Sequence, residues 1–222
     1  MYYNGEGVRQ DYTKAVEWYT KAANQGDAGA QYNLGIMYDQ GQGVHQDYIK
    51  AHEWYTKAAN QGYAEAQNNL GVLYAEGKGV RQDYAKAAEW YTKAANQGYA
   101  GAQYNLGLMY AEGKGVRQDY KKAVEWYTKA ANQDYADAQN NLGLMYVEGE
   151  GVRQDYAKAR EWYLKAAAQN FAQAQFNLGT LYYNGQGVRQ DYHAAKEWLG
   201  KACDNGYQGG CDEYRKLNQR GY

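Results

Sequence analysis

The chain has 222 residues, and its 45% hydrophobic content is enough to bury a continuous core. Its 24 basic and 25 acidic residues nearly cancel, so it carries no single-sign field that would attract nucleic acid or an anionic membrane. No stretch approaches the roughly 18 to 20 apolar residues that a membrane-spanning helix requires. We therefore expect neither nucleic-acid binding nor membrane insertion.

A period of 36 residues organises the chain. All six Trp residues share this spacing, and each lies within a version of D-Y-x-K-A-x-E-W-Y-x-K-A-A: Trp18, Trp54, Trp90, Trp126, Trp162 and Trp198. A second block, A-x-A-Q-x-N-L-G-x-x-Y, recurs five times and begins at Ala28. We expect a single solenoid with a partial repeat at 1–26, full repeats at 27–62, 63–98, 99–134, 135–170 and 171–206, and a capping helix at 207–222.

Each block predicts one helix, because its apolar residues recur at intervals of three and four. We name the A-x-A-Q block helix A and the Trp block helix B, and we expect about twelve helices and no sheet. Asp47 and its equivalents lie where helix B should begin, as N-caps. Gly41 is a candidate for the left-handed residue that ends helix A, and Gly, Asp or Asn follows each helix B. Gly35 and its equivalents allow close helix approach, with Trp54 and Tyr38 predicted to fill the space beside them.

The combined motif A-x-A-Q-x-x-L-G-x-x-Y-x-x-G-x-G-V-x-x-D-x-x-K-A-x-x-W-Y-x-K-A-A resembles the Sel-1-like repeat, a relative of the tetratricopeptide repeat, over the whole chain. Compared with the latter, the loop from Gly41 to Asp47 is longer and the usual Pro after helix B is absent. The resemblance implies an all-α, right-handed superhelical α-solenoid of 36-residue helix-turn-helix repeats. It also implies an adaptor whose partner is a protein or peptide. A cysteine-paired subset of the family, described as penicillin-binding or β-lactamase-like, suggests a cell-envelope hydrolase as the alternative function.

On helix A, the positions that differ between repeats share one face, whereas the framework positions are nearly constant. Resemblance to tetratricopeptide repeats makes that face the concave one. We predict a groove for a peptide or protein segment there, with aromatic anchors and an Asn ladder that pairs with the backbone of the segment. The predicted binding residues are Tyr32, Asn33, Asn68, Asn69, Tyr104, Asn105, Asn140, Asn141, Phe176 and Asn177. Two alternatives stand beside this prediction: each Asn bonds a neighbouring turn, and the aromatic residues pack within the fold.

Serine and histidine, two residue types common in catalytic and metal sites, are absent or scarce in this chain. The chain contains no Ser, so the acyl-enzyme route of serine β-lactamases is closed to it. Its only His residues are His45, His52 and His193, and the third is too far along the chain to complete a catalytic zinc site. A weak metal site at His45 and His52 competes with the interpretation of both as surface residues. Pairs such as Glu17 with Lys21 predict helical ion pairs. We expect no enzyme, no cofactor and no metal.

The two ends of the chain carry further signals. The segment 1–5 aligns with 37–41, so we expect the chain to begin in the last turn of a helix A whose leading part, with any signal peptide, was removed. Cys203 and Cys211 are spaced as in the cysteine-rich Sel-1-like proteins, where such pairs are disulfides. Two buried free thiols are the alternative. Because structural disulfides need an oxidising compartment, the pair predicts a periplasmic or secreted protein.

Overall fold

The computed structural model describes residues 2–5, 7 and 9–222, and this part of the chain folds into twelve α-helices without any strand. The helices are α1 (Tyr12–Asn24), α2 (Ala28–Gln40), α3 (Tyr48–Asn60), α4 (Ala64–Glu76), α5 (Tyr84–Asn96), α6 (Ala100–Glu112), α7 (Tyr120–Ala131), α8 (Ala136–Glu148), α9 (Tyr156–Ala168), α10 (Ala172–Asn184), α11 (Tyr192–Asp204) and α12 (Gln208–Gln219). Even-numbered helices are helix A and odd-numbered helices are helix B. None of these helices is both long and apolar enough to cross a bilayer. Met1, the first residue of the expected helix A remnant, lies outside the described residues.

Each helix B begins at the predicted aspartate. The side chain of Asp47 accepts hydrogen bonds from the backbone N–H groups of Ile49 and Lys50, at 3.1 and 3.0 Å. These bonds satisfy amides that have no partner inside the first turn. The same cap is formed by Asp11, Asp83, Asp119, Asp155 and Asp191.

Both helices of a repeat end at residues with left-handed backbone, as the sequence predicts. Helix A of the repeat 27–62 ends at Gly41, with φ of 70°. After helix B, Asp134 and Asn170 adopt φ of 60° and 62° where the other repeats have Gly. In the loop between the helices, the Gln46 side-chain amide donates to the Asp39 carbonyl at 2.7 Å. The tight return of the chain is thus fixed by backbone conformation and by this hydrogen bond.

The helices group into two compact units. The first contains Met1–Met109 and Gly113–Arg117, and the second contains Tyr110–Glu112 and Gln118–Tyr222. Within the first unit, α1 to α4 each pack against the next helix in the chain, and within the second unit α7 to α11 do so. Each unit is therefore a stack of helical hairpins in which contacts between helices are local in sequence.

Close packing of helix A on helix B depends on a Gly opposite a Tyr. A Cβ atom added to Gly71 would lie 2.6 Å from the Cε1 atom of Tyr91, which is only 5% exposed. Gly35 meets the ring of Tyr55 in the same way. The prediction that Trp54 fills this space is wrong: Tyr55 does, while Trp54 packs on a cluster that includes Ala23 of α1 and Leu34 of α2. The adjacent Trp and Tyr point about 100° apart around the helix, so they pack against different neighbours.

A buried glutamine joins successive hairpins. Gln67 is 5% exposed, and its amide donates to the Ala59 carbonyl of α3 at 3.0 Å. Its carbonyl accepts from the Gln97 amide, at the end of α5, at 2.7 Å. A side chain on α4 thereby connects the helices on either side of it. Because buried polar groups must be hydrogen-bonded, this contact explains the constant Gln of the A-x-A-Q block.

Candidate functional site

The predicted aromatic anchors lie half-buried on helix A and pack on rings of the fold itself. In the first unit, the ring centroid of Tyr32 lies 6.0 Å from that of Tyr55 and 5.1 Å from that of Tyr63. In the second unit, Phe176 lies 5.0 Å from Tyr207. These contacts hold the rings in place and leave part of each one accessible. The alternative interpretation, in which these aromatic residues pack within the fold, therefore explains the buried part of each ring.

Four asparagines of the ladder hydrogen-bond to Asn68 or Asn140, which precede Asn69 and Asn141 in the chain. The side-chain carbonyl of Asn68 accepts from the Asn105 amide at 3.0 Å, and the Asn68 amide donates to Asn69 at 3.3 Å. The second unit repeats this arrangement, with Asn177 donating to Asn140 at 2.9 Å and Asn140 donating to Asn141 at 3.3 Å. Asn68 and Asn140 are buried, whereas their partners on the ladder are half-buried. The partner of each of these residues is thus another Asn side chain, on the same helix A or on an adjacent one, rather than a turn.

Other predicted residues on this face keep accessible surface. Asn33 is half-buried on α2, and its side chain makes no hydrogen bond within the described part of the chain. Tyr104 is half-buried on α6 and contacts other residues of the fold. The structure therefore places the predicted residues of each unit on successive helices A. Several of their side-chain amides already form hydrogen bonds within the fold.

Burial raises the pKa values of two side chains on helix A, Tyr32 and Asp39. It raises the pKa of Tyr32 to about 12, and the nearby Tyr99 and Glu65 act in the same direction. Burial also raises the pKa of the Asp39 carboxyl, although the Tyr55 hydroxyl donates to it at 3.3 Å. The tyrosines on this face are neutral at physiological pH, and they therefore offer ring faces and hydroxyls rather than charge.

On helix B, each conserved lysine lies over the Trp three residues before it. The Lys57 ammonium is 3.8 Å from the ring centroid of Trp54, and Lys93 is at the same distance from Trp90. The prediction from the sequence was an ion pair with a glutamate four residues earlier. The contact that the structure shows is a cation–π interaction, which also covers apolar surface with the lysine stem.

The histidines do not assemble a reactive centre. His45 is exposed, whereas His52 is half-buried with a ring nitrogen 3.2 Å from the Tyr74 hydroxyl. Burial lowers the pKa of His52. Among the described residues there is no group of three or more His, Cys, Asp and Glu placed to hold a metal ion.

The two cysteines form a disulfide. Cys203, in the last turn of α11, is bonded to Cys211 in α12, with their Cα atoms 4.5 Å apart. The bridge ties the last helix B to the helix that follows it. The predicted pairing is therefore present.

The repeat family follows from this architecture and from a family model. The Sel1 repeat model matches residues 1–27, 28–63, 64–99, 100–135, 136–171 and 172–207. The chain belongs to the Sel1 repeat family. The predicted all-α solenoid of helical hairpins is thereby confirmed.

Solved structures place this Sel1 repeat protein near bacterial relatives. It is similar to a protective antigen of uropathogenic Escherichia coli strains with an SLR fold, at 40% identity and a TM-score of 0.93 over 99% of this chain. The chain spans 47% of that protein's length. A Sel1 repeat protein from Oxalobacter formigenes is 34% identical, with a TM-score of 0.89, and the match covers 95% of this chain and 85% of that one. No curated protein sequence matches the chain significantly.

Proposed function

We propose that this protein is a scaffold that binds an extended segment of another protein on its helix A face. By helix A face we mean the side of the even-numbered helices that carries positions 29, 32, 33 and 36 and their equivalents in other repeats. Sel1 repeat proteins generally act as protein-interaction scaffolds, which supports a protein as partner. The segment and its register on the face are our inference.

The observation that carries this proposal is the contrast between constant and variable positions within one unit. In the first unit Gln31, Gln67 and Gln103 are identical and buried. The next residue along the chain differs from repeat to repeat, as Tyr32, Asn68 and Tyr104. Within helix A the framework positions are the same in every repeat and the variation is concentrated on one face, so side chains that vary along this row would favour one position of a bound segment over another. Rings and amides on that face suit an extended peptide, which presents backbone amides and alternate side chains.

Location outside the cytoplasm is part of the proposal. The Cys203–Cys211 disulfide is of a kind that persists in oxidising compartments, and the similar solved structures come from bacteria. A periplasmic or secreted protein with an exported or surface partner is consistent with both observations.

The test begins with capture of the partner by cross-linking and mass spectrometry. Asn33→Ala combined with Asn105→Ala should then weaken binding about 5- to 100-fold if these amides hold the segment backbone. The matched control is Glu53→Gln with Glu89→Gln, two exposed residues of helix B. Lysines of helix B are unsuitable controls because they cover the Trp rings. Equal losses for the two pairs would show that the partner uses another surface.

A further inference from the structure

Three tyrosines and one glutamate lie on or immediately before helices A of the first unit. Tyr32 lies on α2, and its ring centroid is 5.1 Å from that of Tyr63, which immediately precedes α4. Tyr99 precedes α6, and its ring folds back over the first turn of that helix, where it would lie 3.1 Å from a Cβ atom on Gly101. Glu65 lies in the first turn of α4, two residues after Tyr63.

The carboxylate of Glu65 is half-buried without a partner. Within the described residues it accepts no hydrogen bond and forms no ion pair. Burial raises the pKa of Tyr63 and of Tyr99, and in both cases the Glu65 charge adds to that effect, so the carboxylate lies within electrostatic reach of the two hydroxyls. A carboxylate without a partner attracts a cation that reaches it.

Tyrosine faces beside a carboxylate suit a cationic group. The negative face of an aromatic ring attracts an ammonium or a guanidinium, and aromatic cages recognise such groups. The chain itself shows this chemistry, with the Lys50 ammonium 5.2 Å from the ring centroid of Tyr38. We propose that Tyr32, Tyr63, Tyr99 and Glu65 form a recognition site for a Lys or Arg side chain of the bound segment. This inference rests on the proposed function, because it names the chemistry of the segment.

The site would also set the register of the segment. Gly29 and Gly101 occupy the positions equivalent to Glu65 in the neighbouring repeats of the first unit, and the carboxylate beside Gly29, that of Asp27, already accepts a hydrogen bond from the Ala30 N–H as the cap of α2. Helices A of adjacent repeats are otherwise alike, and a segment could slide by one repeat without changing its contacts to the framework. A single cationic side chain at Glu65 would make one register more stable than the others.

The experiment uses the full chain and three blocked tripeptides, acetyl-Gly-X-Gly-amide, in which X is Lys, Arg or the uncharged isostere norleucine. Binding is followed by NMR chemical-shift changes of the Tyr ring protons at low and at high salt. We expect millimolar binding of the Lys and Arg peptides, and at least fivefold weaker binding of the norleucine peptide. Glu65→Gln should weaken Lys-peptide binding about three- to tenfold and remove most of its salt dependence. Tyr63→Leu, which removes a ring, should weaken it similarly.

The control is Glu89→Gln, an exposed carboxylate on α5, which should leave the titration unchanged. Circular dichroism of each variant separates loss of binding from loss of fold. Equal binding of the Lys and norleucine peptides would overturn the proposal, as would Lys binding that is indifferent to Glu65→Gln. If the natural partner cross-links to the helix A face but Glu65→Gln has no effect on either ligand, the site is refuted and the scaffold function stands. If the Lys peptide binds as expected while the partner cross-links only to helix B, the site stands and the scaffold face is wrong.

Discussion

Gly71→Val should destabilise the protein because the space beside Gly71 is filled by Tyr91. A Cβ atom at position 71 would approach two carbons of the Tyr91 ring at 2.6 and 2.7 Å, nearly 1 Å inside ordinary contact. Tyr91 is only 5% exposed, so its ring is enclosed by the fold. Overpacking of this kind costs about 1 to 3 kcal/mol, offset by about 0.4 kcal/mol from the better helix propensity of Val. We expect a net loss of about 0.6 to 2.6 kcal/mol, measured by urea unfolding followed by circular dichroism.

The matched control is Gly29→Val, on the helix A face. A Cβ atom at Gly29 would meet only the Asp27 carboxylate oxygen, at an ordinary 3.4 Å. Its effect should stay within about 0.5 kcal/mol of zero. A Gly71→Val protein as stable as the control would refute the view that the constant Gly is required by the Tyr ring.

Four further outcomes follow from the structure. Asp83→Ala removes a helix cap and should cost about 1 kcal/mol in urea unfolding. Gln67→Leu leaves the partners of its amide and carbonyl unsatisfied and should cost about 1 to 3 kcal/mol, with its largest loss of hydrogen-exchange protection near Ala59. Reduction of the disulfide at Cys203 should cost about 2 to 3 kcal/mol in the chain-entropy model, and alkylation without reductant should leave the protein mass unchanged. Because the pKa of Tyr32 is raised from 10.0 to about 12, tyrosines of the unfolded chain lose protons first, so stability should fall as pH rises above 10, seen as unfolding in circular dichroism.

Much of the fold could be predicted because each repeat contains its own local signals. Asp47 is a cap by residue type and position, and Gly41 ends a helix because its φ of 70° suits Gly. The same reasoning could not choose between Trp54 and Tyr55 as the partner of Gly35. Both are large and adjacent, and the choice depends on how the two helices rotate against each other. That rotation is a property of the packed hairpin rather than of either helix alone.

The candidate site was only partly predictable for a similar reason. Comparison of repeats identified the variable face and the row of asparagines. It did not show that Asn105 donates to Asn68, since that bond joins residues 37 positions apart on different helices. The role of Gln67 had a signal in the sequence, the constant Gln of helix A, but its two partners become visible only when three helices are in place.

The central claim is that a partner segment lies on the helix A face, and position-specific photo-cross-linking tests it most directly. A photoreactive amino acid would replace Val72, a half-buried variable position on α4, and in a second variant Ala85, an exposed position on α5. Both variants would be expressed in bacteria and irradiated, and the cross-linked peptides would be identified by mass spectrometry. We expect the partner to be cross-linked from position 72 and not from position 85. Cross-links to the same partner from position 85 alone would contradict the assignment of the binding face.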